Sequence, residues 1–136
     1  MFKGPKPDGR LMRIGIEGPG NDQASSSVIK HILEAKEGAI TTSGNYRNYL
    51  AAKRMSYLIN PKTGYLLNGE IISVTVYAKD AITADGYDNA LMAMKVNEAL
   101  AFVNQHKDME AYFIYKQPDG KLADTASTGF KKMLAN

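Results

Sequence analysis

From Leu11 to Glu17 the chain alternates. Met12, Ile14 and Ile16 are apolar, with Arg13, Gly15 and Glu17 between and after them, which is the two-residue period of a strand. Gly18-Pro19-Gly20-Asn21-Asp22 is expected to break that strand. Ahead of it, Gly4-Pro5-Lys6-Pro7-Asp8-Gly9 is turn chemistry, with Asp-Gly a hairpin signal. Val28 to Ala35 fits two templates. Val28, Ile29, Ile32 and Leu33 match a short helix face, while the β-branched content and a Lys36-Glu37-Gly38 turn favour a strand hairpin leading into Ala39-Ile40-Thr41-Thr42. Arg54 to Ile59 reads as a further short strand, stopped by Asn60-Pro61-Lys62-Thr63-Gly64, where Pro presets one φ and Gly supplies a positive one. Ile71 to Tyr77 is the clearest strand, with Ile72, Val74 and Val76 expected on one face and Ser73, Thr75 and Tyr77 on the other.

After Tyr77 the period lengthens. Thr83 is the expected N-cap of a helix from Ala84 to Met94, and Asn97 of a second helix in which Leu100 and Val103 face the core. Ala111 to Tyr115 and Lys121 to Ala126 flank a Pro118-Asp119-Gly120 turn as a second hairpin, and Ser127 to Leu134 reads as a short terminal helix. Strands dominate, and a helical pair packs on them. The expected class is α+β with a largely antiparallel sheet.

Composition bounds this picture without changing it. The chain has 136 residues, 44% hydrophobic and 23% charged, the range of one compact domain, and residues 1–136 are read as a single domain. With no cysteine, a disulfide framework, a thiolate metal site and a Cys nucleophile are excluded. Two histidines, His31 and His106, are too few for a His-rich metal centre, and neither has a carboxylate partner in view. No apolar run approaches the ~20 residues of a membrane span, and the Met1–Pro7 segment lacks the apolar core of a signal peptide. The net charge is +3, but the basic residues are interspersed and form no stripe, so no nucleic-acid partner is expected. Met92, Met94 and Met109 are expected to fill core gaps. The glycine-rich nucleotide loops, the GxSxG elbow and HExxH do not occur.

Three segments carry candidate chemistry. In Thr83-Ala84-Asp85-Gly86-Tyr87-Asp88-Asn89-Ala90, Asp85 and Asn89 stand at i and i+4, so a helix would place both side-chain oxygens on one face. Oxygen ligands projecting from a first turn suit Mg²⁺ or Ca²⁺, which would take further ligands from water and a substrate phosphate. The plainer reading is an Asp that stabilises the helix macrodipole beside an exposed Asn. In Thr41-Thr42-Ser43-Gly44-Asn45-Tyr46-Arg47, small hydroxylated residues and a Gly let a ligand approach the backbone, and Arg47 could hold a phosphate or carboxylate; a polar turn is the alternative. In Ser56-Tyr57-Leu58-Ile59-Asn60-Pro61-Lys62-Thr63-Gly64, a rigid turn aims a strand end, and Tyr57 would be an unusual base because a phenol ordinarily titrates near ~10.

Taken in order, Arg13-Ile14-Gly15-Ile16-Glu17-Gly18-Pro19, Thr42-Ser43-Gly44-Asn45-Tyr46-Arg47, Ile59-Asn60-Pro61-Lys62-Thr63-Gly64, Ser73-Val74-Thr75-Val76 and Ala84-Asp85 resemble the ApbE family of FAD:protein FMN transferases, formerly called thiamine-biosynthesis lipoproteins. Ala126-Ser127-Thr128-Gly129-Phe130 is similar to the C-terminal end of some members. The resemblance favours the strand hairpin at Val28–Ala35 and implies an α+β fold related to the T-fold. It implies Mg²⁺-dependent transfer of FMN from FAD, the substrate, to a Ser or Thr hydroxyl of an acceptor protein, with release of AMP. The implied metal ligands are Asp85 and Asn89, the latter standing where the family has Thr. Tyr57 stands where the family has the His that activates the acceptor hydroxyl, and Asn60 where it has Asp. Ser43, Gly44, Arg47, Leu58 and Ile59 would line the flavin nucleotide.

The segment that supplies much of the family's FAD pocket would precede this chain, so the match corresponds to a C-terminal portion. Surface that should meet that half would then be exposed or covered by a second copy, and a homodimer is expected. Members are usually exported and often lipid-anchored. The substitutions at Tyr57 and Asn89 leave an alternative: an ApbE-like paralogue that binds a nucleotide or protein partner without catalysis.

Overall fold

The computed structural model describes residues 1–20, 27–45 and 58–135. Among the described residues, six strands and three helices run in the order β1 (Met12–Pro19), β2 (Ser27–Ala35), β3 (Ala39–Gly44), β4 (Ile71–Ala78), α1 (Ala81–Met92), α2 (Val96–Gln105), β5 (Met109–Lys116), β6 (Leu122–Ala126) and α3 (Thr128–Met133). All pairings are antiparallel. β3-β4-β5-β6 form one sheet and β1-β2 a separate two-stranded one, so the expected α+β class and antiparallel sheet are found.

Both faces of the four-stranded sheet are covered. On one face Val74, Val76, Ala111 and Phe113 meet Ala84, Leu91 and Met92 of α1 and Val96, Ala99 and Val103 of α2. On the other, Ile72, Tyr112, Ile114 and Ala126 meet Ile16 and Leu33 of the β1-β2 ribbon and Phe130 of α3. This explains why β4 buries even its polar positions: Ser73 and Thr75 are each 2% exposed, and the Thr75 hydroxyl bonds that of Thr42 at 2.9 Å. Met92 and Met109 are buried in the helix-side core, and Met94 packs at its margin.

Several local expectations are corrected. Gly18 and Pro19 do not break β1; they extend its ladder, opposite Val28 and Ser27. Gly18 is a packing glycine, since a Cβ there would lie 2.7 Å from Ile114 Cδ1, and Pro19 ends the strand, where a missing N–H costs little. The Lys36-Glu37-Gly38 turn does not close a hairpin. β2 returns to β1 while β3 pairs with β4, and Gly38, at φ +132°, swings the chain between layers while bonding Phe2 through both backbone groups. In β4 a register shift between Ile71 and Ser73 moves Ile72 to the ribbon side, away from Val74 and Val76.

The helix starts also differ. Asp80, not Thr83, caps α1, with its Oδ1 accepting from Thr83 N at 2.8 Å. Asn97 lies inside α2. Lys95 holds the cap position without a side-chain bond, and Glu70, distant in sequence, supplies the acceptor for Val96 N at 2.6 Å. The Asn60–Gly64 turn forms as expected, with Gly64 at φ +72° and Ile59 bridged to Leu66; the strand expected from Arg54 lies mostly outside the described residues. The Pro118-Asp119-Gly120 hairpin and the helix after Ser127 form where expected.

Candidate functional site

Strand β3 turns Thr41 and Ser43 toward α1, because Ile40 and Thr42, which alternate with them, face the ribbon side. Helix α1 buries Ala84, Asp88, Leu91 and Met92, an i, i+4, i+7, i+8 stripe in which one member is a carboxylate. Where strand and helix meet, Ser43 Oγ donates to Asn89 Oδ1 at 3.1 Å. Two segments singled out separately in the sequence are therefore one constellation. Asp85 and Asn89 share the outward side of α1, and both are exposed. The helix begins at Ala81, which places Asp85 in the second turn rather than the first, so macrodipole stabilisation does not account for it.

Asp88 is not among the residues expected at the site. Its side chain is only 2% exposed, and burial pushes its carboxyl above the ordinary range; the Ser43 and Thr41 hydroxyls pull the other way, and the Asp85 charge adds to the rise. Among the described residues, Asp88 Oδ1, Thr41 Oγ1 and Asn45 Oδ1 are buried with no hydrogen bond of good geometry. The signal for Asp88 is nevertheless legible: a carboxylate on the apolar stripe of an otherwise amphipathic segment. Among the described residues no group of three or more His, Asp or Glu side chains converges as a ready-made metal centre. The donors that do converge are all oxygen, the chemistry that suits a hard cation completed by water or phosphate.

The remaining candidates divide. Gly44 ends β3 beside Ser43. Leu58 packs against the helix-side core, its carbonyl accepting from Leu67 N at 2.7 Å, while Ile59 projects with 59% exposure. Arg47 and Tyr57 lie outside the described residues. A cavity of about 280 Å³, lined by Arg13, Ile29, Lys30, His31, Ile32 and Ala135, shares no residue with this constellation. His31 does have a carboxylate partner, contrary to expectation. Asp124 Oδ2 lies 3.6 Å from its Nε2 and also accepts from Tyr112 OH at 2.7 Å. That trio lies on the ribbon side of the sheet, opposite α1.

Residues 1–113 match the model of the ApbE family. The chain belongs to that family. Among its relatives is an FAD:protein FMN transferase of Vibrio cholerae serotype O1, 39% identical over 136 residues, an alignment covering 98% of this chain and 39% of that protein. Another, of Klebsiella pneumoniae, is 33% identical over 122 residues, covering 88% and 34%. Of the solved structures, the flavin transferase ApbE of Vibrio cholerae superposes with a TM-score of 0.79 at 36% identity, covering 98% of this chain and 41% of that one. The apo flavinyl transferase ApbE of Pseudomonas stutzeri gives 0.75 at 32%, covering 96% and 41%. The chain thus spans about two-fifths of the length of the Vibrio cholerae relative. The ApbE membership accounts for the layered α+β fold.

Proposed function

We propose that this ApbE-family chain, as part of a larger protein, serves the transfer of FMN from FAD to a Ser or Thr hydroxyl of an acceptor protein, with Mg²⁺ held by Asp85 and Asn89. The observation that carries the reading is the hydrogen bond from Ser43 to Asn89, which joins the expected nucleotide-binding strand end to the expected metal-binding helix. The names of the relatives support the same chemistry. The donor set fits the cation: one carboxylate and one amide oxygen on an exposed helix face leave room for the waters and substrate phosphate that Mg²⁺ keeps. A cation bound there supplies neutralisation of charge on the pyrophosphate.

The residues of the chain divide the remaining work. Ser43 donates to Asn89 Oδ1 and so fixes the amide with its oxygen available and its orientation set. Gly44 leaves the β3 end open to a nucleotide, and Leu58 and Ile59 offer apolar surface to the flavin. Arg47, outside the described residues, is the side chain assigned by sequence to a phosphate. In the transfer, the acceptor hydroxyl oxygen bonds to the phosphorus of the FMN half, the bond to the AMP phosphate breaks, AMP departs, and the hydroxyl proton passes to a base. Tyr57 occupies the base position of the resemblance and, as a phenol, is poorly matched to that task at neutral pH. The exposed Ile59, Tyr65, Leu66 and Ile82 are compatible with further protein, either more of the enzyme or a second copy, covering apolar surface of this chain.

Incubation of the full-length parent protein with FAD, Mg²⁺ and the acceptor of an FAD:protein FMN transferase should give an acceptor band that fluoresces after denaturing electrophoresis. No band, beside an active relative assayed in parallel, overturns the reading.

A further inference from the structure

We propose that Asp88 is a positioning residue for the cation: its buried carboxylate, set behind Asp85 and Asn89 and beside the Thr41 and Ser43 hydroxyls, supplies the second negative group that makes a site with one ligand carboxylate hold a divalent ion. The proposal rests on the reading of Asp85 and Asn89 as ligands. It assigns Asp88 no direct bond to the metal.

Three observations lead to it. First, Asp88 lies on the inward stripe of α1 between Ala84 and Leu91, where an apolar residue would serve packing. Second, a buried carboxylate needs a compensating charge or a full set of donors. Among the described residues no Lys or Arg pairs with Asp88, and its Oδ1 has no partner. Third, the residues that do surround it make the deficit worse or only partly relieve it. Asp85 is a carboxylate one helical turn away on α1, and Ser43 donates its hydroxyl proton to Asn89 Oδ1. Thr41 Oγ1 is itself unpartnered. Among the described residues the interface offers no positive charge at the place where Asn89 presents an amide oxygen.

A cation on Asp85 and Asn89 would supply that charge from one residue away. The gain is mutual: the ion feels a second carboxylate through a low-dielectric path, and the carboxylate gains the counter-charge its burial lacks. A neutral Asn in the ligand set is then sufficient, because part of the charge stands behind it. By donating its one proton to Asn89 Oδ1, the Ser43 hydroxyl keeps the amide oriented with acceptor capacity left for an ion.

Calorimetric titration of Mg²⁺ into the protein without FAD, and the rise in thermal midpoint at saturating Mg²⁺, read affinity independently of catalysis. Asp88→Asn keeps the shape and removes the charge. It is expected to weaken the Mg²⁺ dissociation constant about tenfold, a common cost of altering a group behind metal ligands, and to shrink the Mg²⁺-induced rise without lowering the midpoint of the metal-free protein. Asp88→Ser, a smaller replacement, is expected to weaken binding similarly. Unchanged affinity in both variants, with or without a change in the metal-free midpoint, makes Asp88 a packing residue and overturns the proposal while leaving the ligand assignment intact. A protein in which neither the wild type nor Asp88→Asn responds to Mg²⁺ overturns the ligand assignment, and this proposal with it.

Discussion

Tyr112 shows how one side chain ties the two layers together. Its ring stacks on Phe130 with centroids 5.9 Å apart and meets the edge of His31 at 5.2 Å, while its hydroxyl donates to Asp124. Burial, the Asp124 hydrogen bond and the Asp124 charge together push its phenol well above the usual value of 10.0. Burial also raises Tyr77, whose hydroxyl donates to the Glu37 carbonyl at 2.6 Å. For both residues the folded state holds the proton more tightly than the unfolded chain does. Their contribution is therefore fully present below pH 10 and declines as pH rises through that value, where the unfolded tyrosines ionise first. Tyr112→Phe should cost about 1.5 kcal/mol at neutral pH, as expected for a lost hydrogen bond to a charged group. It should also flatten the alkaline decline without abolishing it, because Tyr77 remains. Urea melts at pH 7 and above pH 10 test both parts; an alkaline slope identical to that of the wild type would refute the assignment to Tyr112.

At the scale of elements, the helix starts separate what local sequence can announce from what it cannot. Thr83 is a reasonable cap by sequence, since it stands before a helical run, yet Asp80 lies three residues earlier and caps the helix by accepting from Thr83 N, its carboxylate being a better cap acceptor than a Thr hydroxyl. Asp80→Ala should lower the thermal midpoint more than Thr83→Ala does, measured side by side by circular dichroism; the reverse order would restore Thr83 as the cap. The start of α2 cannot be found this way. Its acceptor is Glu70, from just before β4, a contact that exists only once the sheet and helices have packed. The same limit explains the strands. Alternation predicts β4, but the shift that moves Ile72 to the other face depends on pairing with β5. The candidate site is legible in two pieces, Ser43-Gly44 and Asp85/Asn89, because each has local spacing. That they touch, and that Asp88 lies beneath them, comes from β3 pairing with β4 and α1 folding back across it, which is information of tertiary order.

At the scale of the molecule, the two-stranded ribbon is held to the main sheet by direct packing and by the C-terminal segment beyond β6. Phe130 is fully buried among Ile16, Leu33, Tyr112 and Ala126, Leu134 bridges to Leu33, and Ala135 N donates to Ile32 O at 2.8 Å. Glu110 anchors this C-terminal clasp by accepting from the Ser127 hydroxyl and from Phe130 N at 3.2 Å. The Ser-Thr-Gly-Phe run is thereby explained: Ser127 reaches both Glu110 and Ala111 N, and Gly129 is small because a Cβ there would overlap the Glu110 carboxylate. The site lies on the opposite face of the same sheet. Its strand, β3, is fixed by β4 and α1, not by the clasp. Phe130→Ala should therefore cost about 3–5 kcal/mol, the usual range for emptying a buried aromatic site, with losses of unequal reach. Amides of β1 and β2 should lose hydrogen-exchange protection first, while those of β4 and β5 stay the most protected. At temperatures where the variant remains folded, its Mg²⁺ affinity should match that of the wild type. A loss of Mg²⁺ affinity in step with the loss of ribbon protection would show instead that the clasp and the site form one cooperative unit.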